Sequence, residues 1–188
     1  MRKQLTLALA TLSVAVAGTI GLAQIKALTL NEMVDVADGA IHGQIVGSDV
    51  FRIDDPVDGP ELFYTTIRIE GRSLMSGDLT TVDVTYHGGF VSDTEGVYNS
   101  EAPSKDDTES GSPVVVFYKW QDNMGGGVSA NALVASHGGL FRTIGSGSVE
   151  TVLGRGEGYA VNNNIRLTDL ESAVAKLHQA KIGRSENR

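Results

Sequence analysis

The stretch from Phe63 to Glu70 reads Phe-Tyr-Thr-Thr-Ile-Arg-Ile-Glu, and its side chains fall into two alternating sets. One set is Phe63, Thr65, Ile67 and Ile69, and the other is Tyr64, Thr66, Arg68 and Glu70. Residues 81–86 repeat this alternation, with Val82, Val84 and Tyr86 on the apolar side. Because successive side chains of a β-strand point to opposite faces, both stretches predict half-buried strands.

Residues 114–118 read Val-Val-Val-Phe-Tyr, which is apolar at every position. Such a run predicts a central strand that is buried on both faces. Another strand is predicted over 40–50, with a bend at Gly43, because glycine commonly marks a bend in a strand. Weaker strands are predicted near 128–135, 139–144, 149–153 and 158–161, with acidic loops over 52–61 and 92–113.

Two capping boxes predict helices at the two ends of this region. Thr29-Leu30-Asn31-Glu32 opens a short helix over 30–37, and Thr168-Asp169-Leu170-Glu171 opens a C-terminal helix. The apolar stripe of the second helix is expected to cover one side or end of the strands; it consists of Leu170, Ala173, Val174 and Leu177. The order helix, about eight strands, helix excludes a parallel doubly wound sheet. It predicts a mainly β fold, either a small barrel or a sandwich.

The N-terminus has the pattern of a secretory signal peptide over residues 1–23. Arg2 and Lys3 supply a positive start, and an uncharged, mostly apolar run continues to Ala23. An uncleaved membrane anchor is the alternative, but small residues at a cleavage site favour a mature chain that begins at Gln24. The expected protein is secreted or periplasmic and has no membrane span after cleavage. It would hold one domain over 24–182 and a disordered tail over 183–188.

The charge balance bears on the class of partner. The full chain has 15 basic and 23 acidic residues, a net charge of −8, and loss of Arg2 and Lys3 would leave −10. An acidic surface repels phosphate backbones, so nucleic-acid binding is not expected. The chain has no cysteine, which rules out a disulfide framework.

Several short motifs resemble a family of exported bacterial domains, some of which are found beside matrixin-type metalloproteases. The matching residues are Ala37-Asp38, Ile41-His42-Gly43-Gln44-Ile45, Thr65-Thr66-Ile67, Gly88-Gly89, Val114 to Tyr118 and Gly139-Leu140-Phe141. This resemblance spans about residues 29–178 and implies a small, antiparallel, OB-like β-barrel. It carries no known catalytic motif.

The chain departs from that family's pattern in two places. Gly71-Arg72 stands where Lys-Gly is usual, and Gly111-Ser112 stands where Gly-Glu is usual. The family also resembles, more distantly, netrin-like modules and tissue metalloprotease inhibitors, which bind zinc through a cysteine at the start of the chain. Without a cysteine, this chain cannot use that mechanism.

The tripeptide His-Gly-Gly occurs twice, at 87–89 and 137–139. We expect both copies to be turns in which the glycines adopt positive φ and the histidines are solvated. The alternative is a metal-dependent hydrolase whose zinc is held by His42, His87 and His137. The spacing of these three residues matches no local zinc motif, so only the fold could bring them together.

Two further candidate sites come from the acidic loops and the aromatic residues. Calcium prefers several oxygen ligands, which either acidic loop could supply, through Asp54, Asp55 and Asp58 or through Asp106, Asp107 and Glu109. Tyr64, Tyr118 and Trp120 could form a platform for a sugar, although a tryptophan at a strand end more often closes the core. The expected function is a non-catalytic module that binds a protein or polysaccharide outside the cytoplasm, without a cofactor.

Overall fold

The computed structural model describes residues 27–54 and 59–186. The predicted signal peptide therefore lies outside the described residues. Two α-helices flank ten β-strands: α1 Leu30–Val36, β1 Gly39–Ile53, β2 Leu62–Ser73, β3 Leu79–His87, β4 Gly89–Ser92, β5 Glu95–Val97, β6 Pro113–Gln121, β7 Ala130–Leu133, β8 Leu140–Ile144, β9 Thr151–Val152, β10 Ile165–Arg166 and α2 Leu167–Glu186. Neither described helix combines the length and apolar composition that a bilayer crossing requires.

Five strands close into a barrel in the order β1, β2, β3, β7, β6 and back to β1. Four of the pairings are antiparallel, whereas β3 and β7 run parallel and meet at Thr85 and Ala132. The strands β8, β9 and β10 extend the sheet beyond β6. A five-stranded closed barrel of this kind is OB-like, and the predicted fold class is confirmed.

The barrel interior follows the period of two in the sequence. Alternate residues of β2 and β3, among them Ile67, Ile69 and Val84, are fully buried in one interior cluster. Between them, Arg68 and Asp83 face outward and form a bidentate ion pair at 2.8 Å. This hydrogen bond lowers the pKa of the Asp83 carboxyl. Exposed ion pairs of this kind add little stability. The register of β2 against β3 is therefore set by the alternation of buried apolar and exposed polar side chains.

A second apolar cluster lies on the outer face of the barrel, under the two helices. Phe117 of β6 and Phe141 of β8 contact each other edge to face, with ring centroids 6.3 Å apart. Leu170 and Val174 of α2 are fully buried in this cluster. The predictions that α2 covers one side of the barrel and that β6 is apolar on both faces are therefore confirmed.

The short helix α1 begins as its sequence predicts. The Thr29 hydroxyl accepts a hydrogen bond from the Glu32 N–H, and the Glu32 carboxylate accepts one from the Thr29 N–H at 2.8 Å. Met33 and Val34 are the buried residues of this helix. The capping box supplies hydrogen-bond acceptors for N–H groups of the first turn that have no partner within the helix. Burial of Met33 and Val34 holds the helix against the barrel.

Several predicted boundaries are wrong. The pairing of β1 with β2 has a register irregularity between Ile45 and Gly47, and the bend predicted at Gly43 stays a prediction. Residues 158–161 form no strand, and the last short strand is β10. Helix α2 begins at Leu167, so Thr168 lies inside its first turn, and it continues through 183–186, which the sequence placed in a tail. Tertiary contacts explain the early start, because the Leu167 N–H donates to the Glu150 carbonyl.

Candidate functional site

The first His-Gly-Gly segment is a turn of the predicted kind. His87 ends β3, and the next two residues have positive φ, +97° at Gly88 and +133° at Gly89. The Gly88 N–H donates to the Phe63 carbonyl at 2.7 Å, and the Asn99 side chain donates to the His87 carbonyl at 3.1 Å. The chain turns here from β3 into the short strand β4.

The second His-Gly-Gly segment differs from the prediction. Residues Ser136–Gly139 form one turn of 3-10 helix, and the left-handed residues are Ala135 and Ser136, not the glycines. Gly138 and Gly139 are both buried. A Cβ at Gly139 would lie less than 3.0 Å from the Val134 carbonyl oxygen. Close backbone approach, and not positive φ, accounts for the glycine at 139.

The three histidines of the proposed zinc site have separate surroundings. His42 is half-buried and lies 2.8 Å from the Glu150 carboxylate. His137 lies between the Glu101 carbonyl and the Tyr159 hydroxyl, at 3.2 and 3.0 Å. Within residues 27–54 and 59–186, no group of three or more His, Asp or Glu residues could hold a metal ion. The structure therefore does not assemble His42, His87 and His137 into one site.

The second acidic loop, whose three candidate residues are all described, assembles no calcium site. Asp55 and Asp58 lie outside the described residues, so the first candidate group stays a prediction. In the second loop, Asp107 bonds to Arg155 at 3.1 Å and lies 3.8 Å from Arg142. These arginines neutralise its charge, while Asp106 and Glu109 are exposed to solvent.

The aromatic platform proposed for a sugar is also not assembled. Tyr64 is fully buried, and its hydroxyl donates to the Met124 carbonyl at 3.0 Å. Burial raises the pKa of Tyr64. Tyr118 is half-buried against the barrel interior, whereas half of Trp120 is exposed. A platform needs open ring faces, and the ring of Tyr64 is buried. The three rings therefore present no common surface.

Two cavities of about 310 Å3 each meet at the end of β3. Both are lined by His87 and Asn99, which form their shared boundary. The first cavity opens between the start of β2 and the segment 97–100. The second lies between β3, β7 and Glu101, and Met124 and Ser136 contribute to its walls. Pockets of this size are at the lower end of those that hold small ligands.

The ring of His87 packs on Tyr64, with centroids 4.8 Å apart, although His87 as a whole is exposed. This partial burial lowers the pKa of His87, and the nearby charge of Glu101 opposes the shift. His87 is therefore neutral near pH 7. The Glu101 carboxylate accepts a hydrogen bond from the Ser136 hydroxyl at 3.2 Å, and the Glu101 N–H donates to Asn99 at 3.0 Å.

Beside the first cavity, β4 and β5 form a hairpin, residues 89–97, that carries exposed apolar side chains. Phe90 is 54% exposed, Tyr98 just after the hairpin is 81% exposed, and Val91 and Val97 are also exposed. Arg52 connects the hairpin to the barrel through Glu95 at 2.6 Å and Glu61 at 3.4 Å. We call Phe90, Val91, Val97 and Tyr98 the hairpin patch.

Residues 92–113 were predicted to form a loop, so the hairpin differs from the prediction. A signal was present: the apolar pairs Phe90-Val91 and Val97-Tyr98 flank the polar turn Asp93-Thr94, which is typical of a hairpin. Comparison of the chain with known protein families, characterised proteins and solved structures gave no match.

Proposed function

We propose that this chain is an exported, non-catalytic β-barrel module that binds a partner protein outside the cytoplasm. The observation that supports this best is the hairpin patch beside the two cavities. Clusters of exposed apolar side chains are typical of interaction surfaces, and aromatic residues are enriched at the centres of such surfaces. Phe90 and Tyr98 supply the aromatic rings here.

A protein fits this surface better than a polysaccharide. The aromatic platform expected for a sugar is not assembled, because Tyr64 is covered and Tyr118 packs against the barrel. The hairpin patch mixes aliphatic with aromatic side chains, as the centre of a protein interface does. Its valines would contribute apolar contact to a partner but no stacking on a sugar ring.

The surroundings of the hairpin patch favour a partner segment with basic residues. Four carboxylates stand on or near the hairpin and the cavities, namely Glu61, Asp93, Glu95 and Glu101. Arg52 pairs with two of them, Glu61 and Glu95. The whole chain is acidic as well, with a net charge of −8. Complementary charge speeds the encounter of partners and suppresses wrong ones.

The proposed location rests on the N-terminal sequence and on the resemblance to exported barrel domains. We expect the native protein to begin at Gln24, since the signal peptide would be removed on export. N-terminal sequencing of protein from the extracytoplasmic fraction checks this. An intact Met1 in the membrane fraction would contradict it.

Selection from a random peptide library tests the proposed function directly. Peptides enriched on the mature protein should carry aromatic or aliphatic residues next to a lysine or arginine. Their affinity for a double variant, Phe90→Ser with Tyr98→Ser, should fall at least about tenfold, because the apolar contacts are lost. Fluorescence anisotropy measures both affinities.

A matched control places the same chemical change elsewhere. Leu79→Ser with Val149→Ser removes two exposed apolar side chains, 77% and 72% exposed, away from the hairpin. Peptide affinity for this variant should equal that of the wild type. The proposal is contradicted if the peptides bind the hairpin variant as tightly as the wild type, or if the selection enriches no peptide. Binding to a panel of surface polysaccharides that is lost in the hairpin variant would favour the polysaccharide instead.

A further inference from the structure

The second cavity at the end of β3 contains one formally charged side chain among the described residues that line it. That residue is Glu101, and no lysine or arginine lines the cavity. The other walls are partly apolar and partly hydrogen-bonding, and include Tyr86, Met124, Leu133, Gln121 and Ser136. A carboxylate that is the one charge in the lining favours a cationic ligand, because no other charged side chain of the cavity offsets its field.

The neighbouring histidine leaves that negative charge uncompensated at neutral pH. Partial burial lowers the pKa of His87, so its ring adds no positive charge to the cavity near pH 7. Asn99 does not compensate the charge either, because its amide is used by the backbone of His87 and of Glu101. The Glu101 charge is therefore left for a ligand.

The hydrogen bonding of Glu101 selects among cations. The Ser136 hydroxyl donates to Oε2, while Oε1 has no hydrogen-bond partner among the described residues. A guanidinium group binds a carboxylate best through two parallel hydrogen bonds, which need both oxygens. An ammonium group is a point charge that needs one oxygen. A bidentate guanidinium would have to share Oε2 with the Ser136 hydroxyl, whereas an ammonium can use Oε1 alone, so this arrangement favours an ammonium group.

We infer that this cavity binds a primary ammonium group on an apolar stem, such as the side chain of a lysine. The stem would contact Met124 and Leu133, and the ammonium would donate to Oε1 of Glu101. The inference rests on the proposed function in one respect, which is that the lysine belongs to the partner segment on the hairpin patch. The first cavity connects the two, since Val97 and Tyr98 line it together with His87.

Small probes test the inference without any partner. The lysine probe is Nα-acetyl-lysine methylamide, and the neutral comparison is Nα-acetyl-norleucine methylamide, which keeps the stem and lacks the ammonium. Titration of 15N-labelled protein should shift the amide signals of Glu101, Ser136 and their neighbours with the lysine probe. The norleucine probe should bind at least about tenfold more weakly, since it lacks the charge.

Two variants separate the charge of Glu101 from the fold. Glu101→Gln keeps an amide oxygen for the Ser136 hydroxyl, and it should weaken lysine-probe binding at least about tenfold. Glu109→Gln removes a carboxylate from the same loop outside the cavity and should bind as the wild type does. Thermal melts establish that both variants fold. Equal binding of the two probes, or equal binding by Glu101→Gln and wild type, would overturn the inference.

A third variant tests the selection of ammonium over guanidinium. Ser136→Ala removes the hydrogen bond with which a bidentate guanidinium would have to share Oε2, so the variant should bind Nα-acetyl-arginine methylamide more tightly than the wild type does. An arginine probe that binds the wild type as well as the lysine probe does would overturn this selection. These probes do not require the hairpin patch, so failure here leaves the peptide result intact. Loss of hairpin-dependent peptide binding would equally leave the probe result intact.

Discussion

The two His-Gly-Gly segments, residues 87–89 and 137–139, share a sequence and differ in backbone conformation. In the first, Gly88 and Gly89 are both left-handed, with φ of +97° and +133°. In the second, the left-handed residues are Ala135 and Ser136, which precede the histidine, and the glycines are buried in a 3-10 turn. The same tripeptide therefore supplies conformational freedom in one place and close packing in the other.

The surroundings of the two segments explain the difference. The first joins β3 to the hairpin strand β4 through residues with positive φ. The second connects β7 to β8 beneath the Glu101 carbonyl, which accepts a hydrogen bond from the His137 N–H at 2.9 Å. The first segment lines the second cavity through His87, and Ser136, which immediately precedes the second segment, lines the same cavity. Tertiary contact, and not the tripeptide, decides each conformation.

The largest effect is expected at Gly139, where the second segment packs most closely. Gly139→Ala brings a Cβ against the Val134 carbonyl, and a backbone atom cannot move aside as a side-chain end can. We expect a loss of about 3–5 kcal/mol in the free energy of unfolding, because buried overpacking belongs to the large class of effects. Denaturant melts measure it. A loss under about 1 kcal/mol would show that the turn relaxes freely.

A smaller loss is expected at Gly89 in the first segment. Gly89→Ala meets the Thr65 hydroxyl and forces an L-residue into the left-handed region. The atoms that the new Cβ meets belong to the side chains of Thr65 and Val50 and not to the backbone, so we expect a loss of about 1–3 kcal/mol. Chemical denaturation of the two alanine variants under the same conditions gives the comparison. Equal losses of stability at 89 and 139 would contradict the distinction between a glycine needed for its positive φ and a glycine needed for close packing.

Substitution of the histidine should also cost more stability in the second segment than in the first. His137→Phe keeps a ring and removes the hydrogen bonds to the Glu101 carbonyl and the Tyr159 hydroxyl. We expect it to cost about 1–2 kcal/mol. His87→Phe keeps the contact with Tyr64 at an exposed position and should change stability by less than about 0.5 kcal/mol at pH 7.5. If both variants melt as the wild type does, His137 does not hold its segment in place.

The smallest effect concerns the pH dependence of His87. Its pKa is lowered in the folded chain, so the unfolded chain binds the proton more readily below the usual value of 6.5. The folded state therefore loses stability as pH falls through 6.5, and gains nothing from this group above it. His87→Phe should lose less stability than the wild type between pH 7.5 and pH 5. Parallel melts at the two pH values check the sign, and an equal loss in both proteins would contradict it.

Local patterns predicted most of the fold. The alternation in β2 and β3, the apolar run in β6 and the capping box at Thr29 each act within one element, so the sequence displays them directly. Boundaries that depend on distant contacts were missed. Gly139 looks like a turn glycine in the sequence, and only the approach of Val134 shows what it does.

The candidate site was harder to predict for the same reason. Its walls come from β3, β6, β7 and the segment 99–102, which are far apart in the chain. Glu101 stands in a loop without hydrophobic periodicity, and the difference between its two carboxylate oxygens depends on a hydrogen bond from Ser136 to one of them. No spacing rule connects residues of this kind. Conversely, the three histidines looked related in the sequence because of their rarity, and the fold gives them separate partners.

The central claim is that a partner segment binds the hairpin patch and places a lysine against Glu101. A double-mutant cycle tests it most directly, with a selected peptide and a copy in which its lysine is replaced by norleucine. Affinities for wild type and Glu101→Gln should show coupling of about 1 kcal/mol or more, because each change removes the same interaction. With Phe90→Ser in place of Glu101→Gln, the free-energy changes of the peptide and protein substitutions should be additive, because the two residues make separate contacts. Additive effects with Glu101→Gln would contradict the claim.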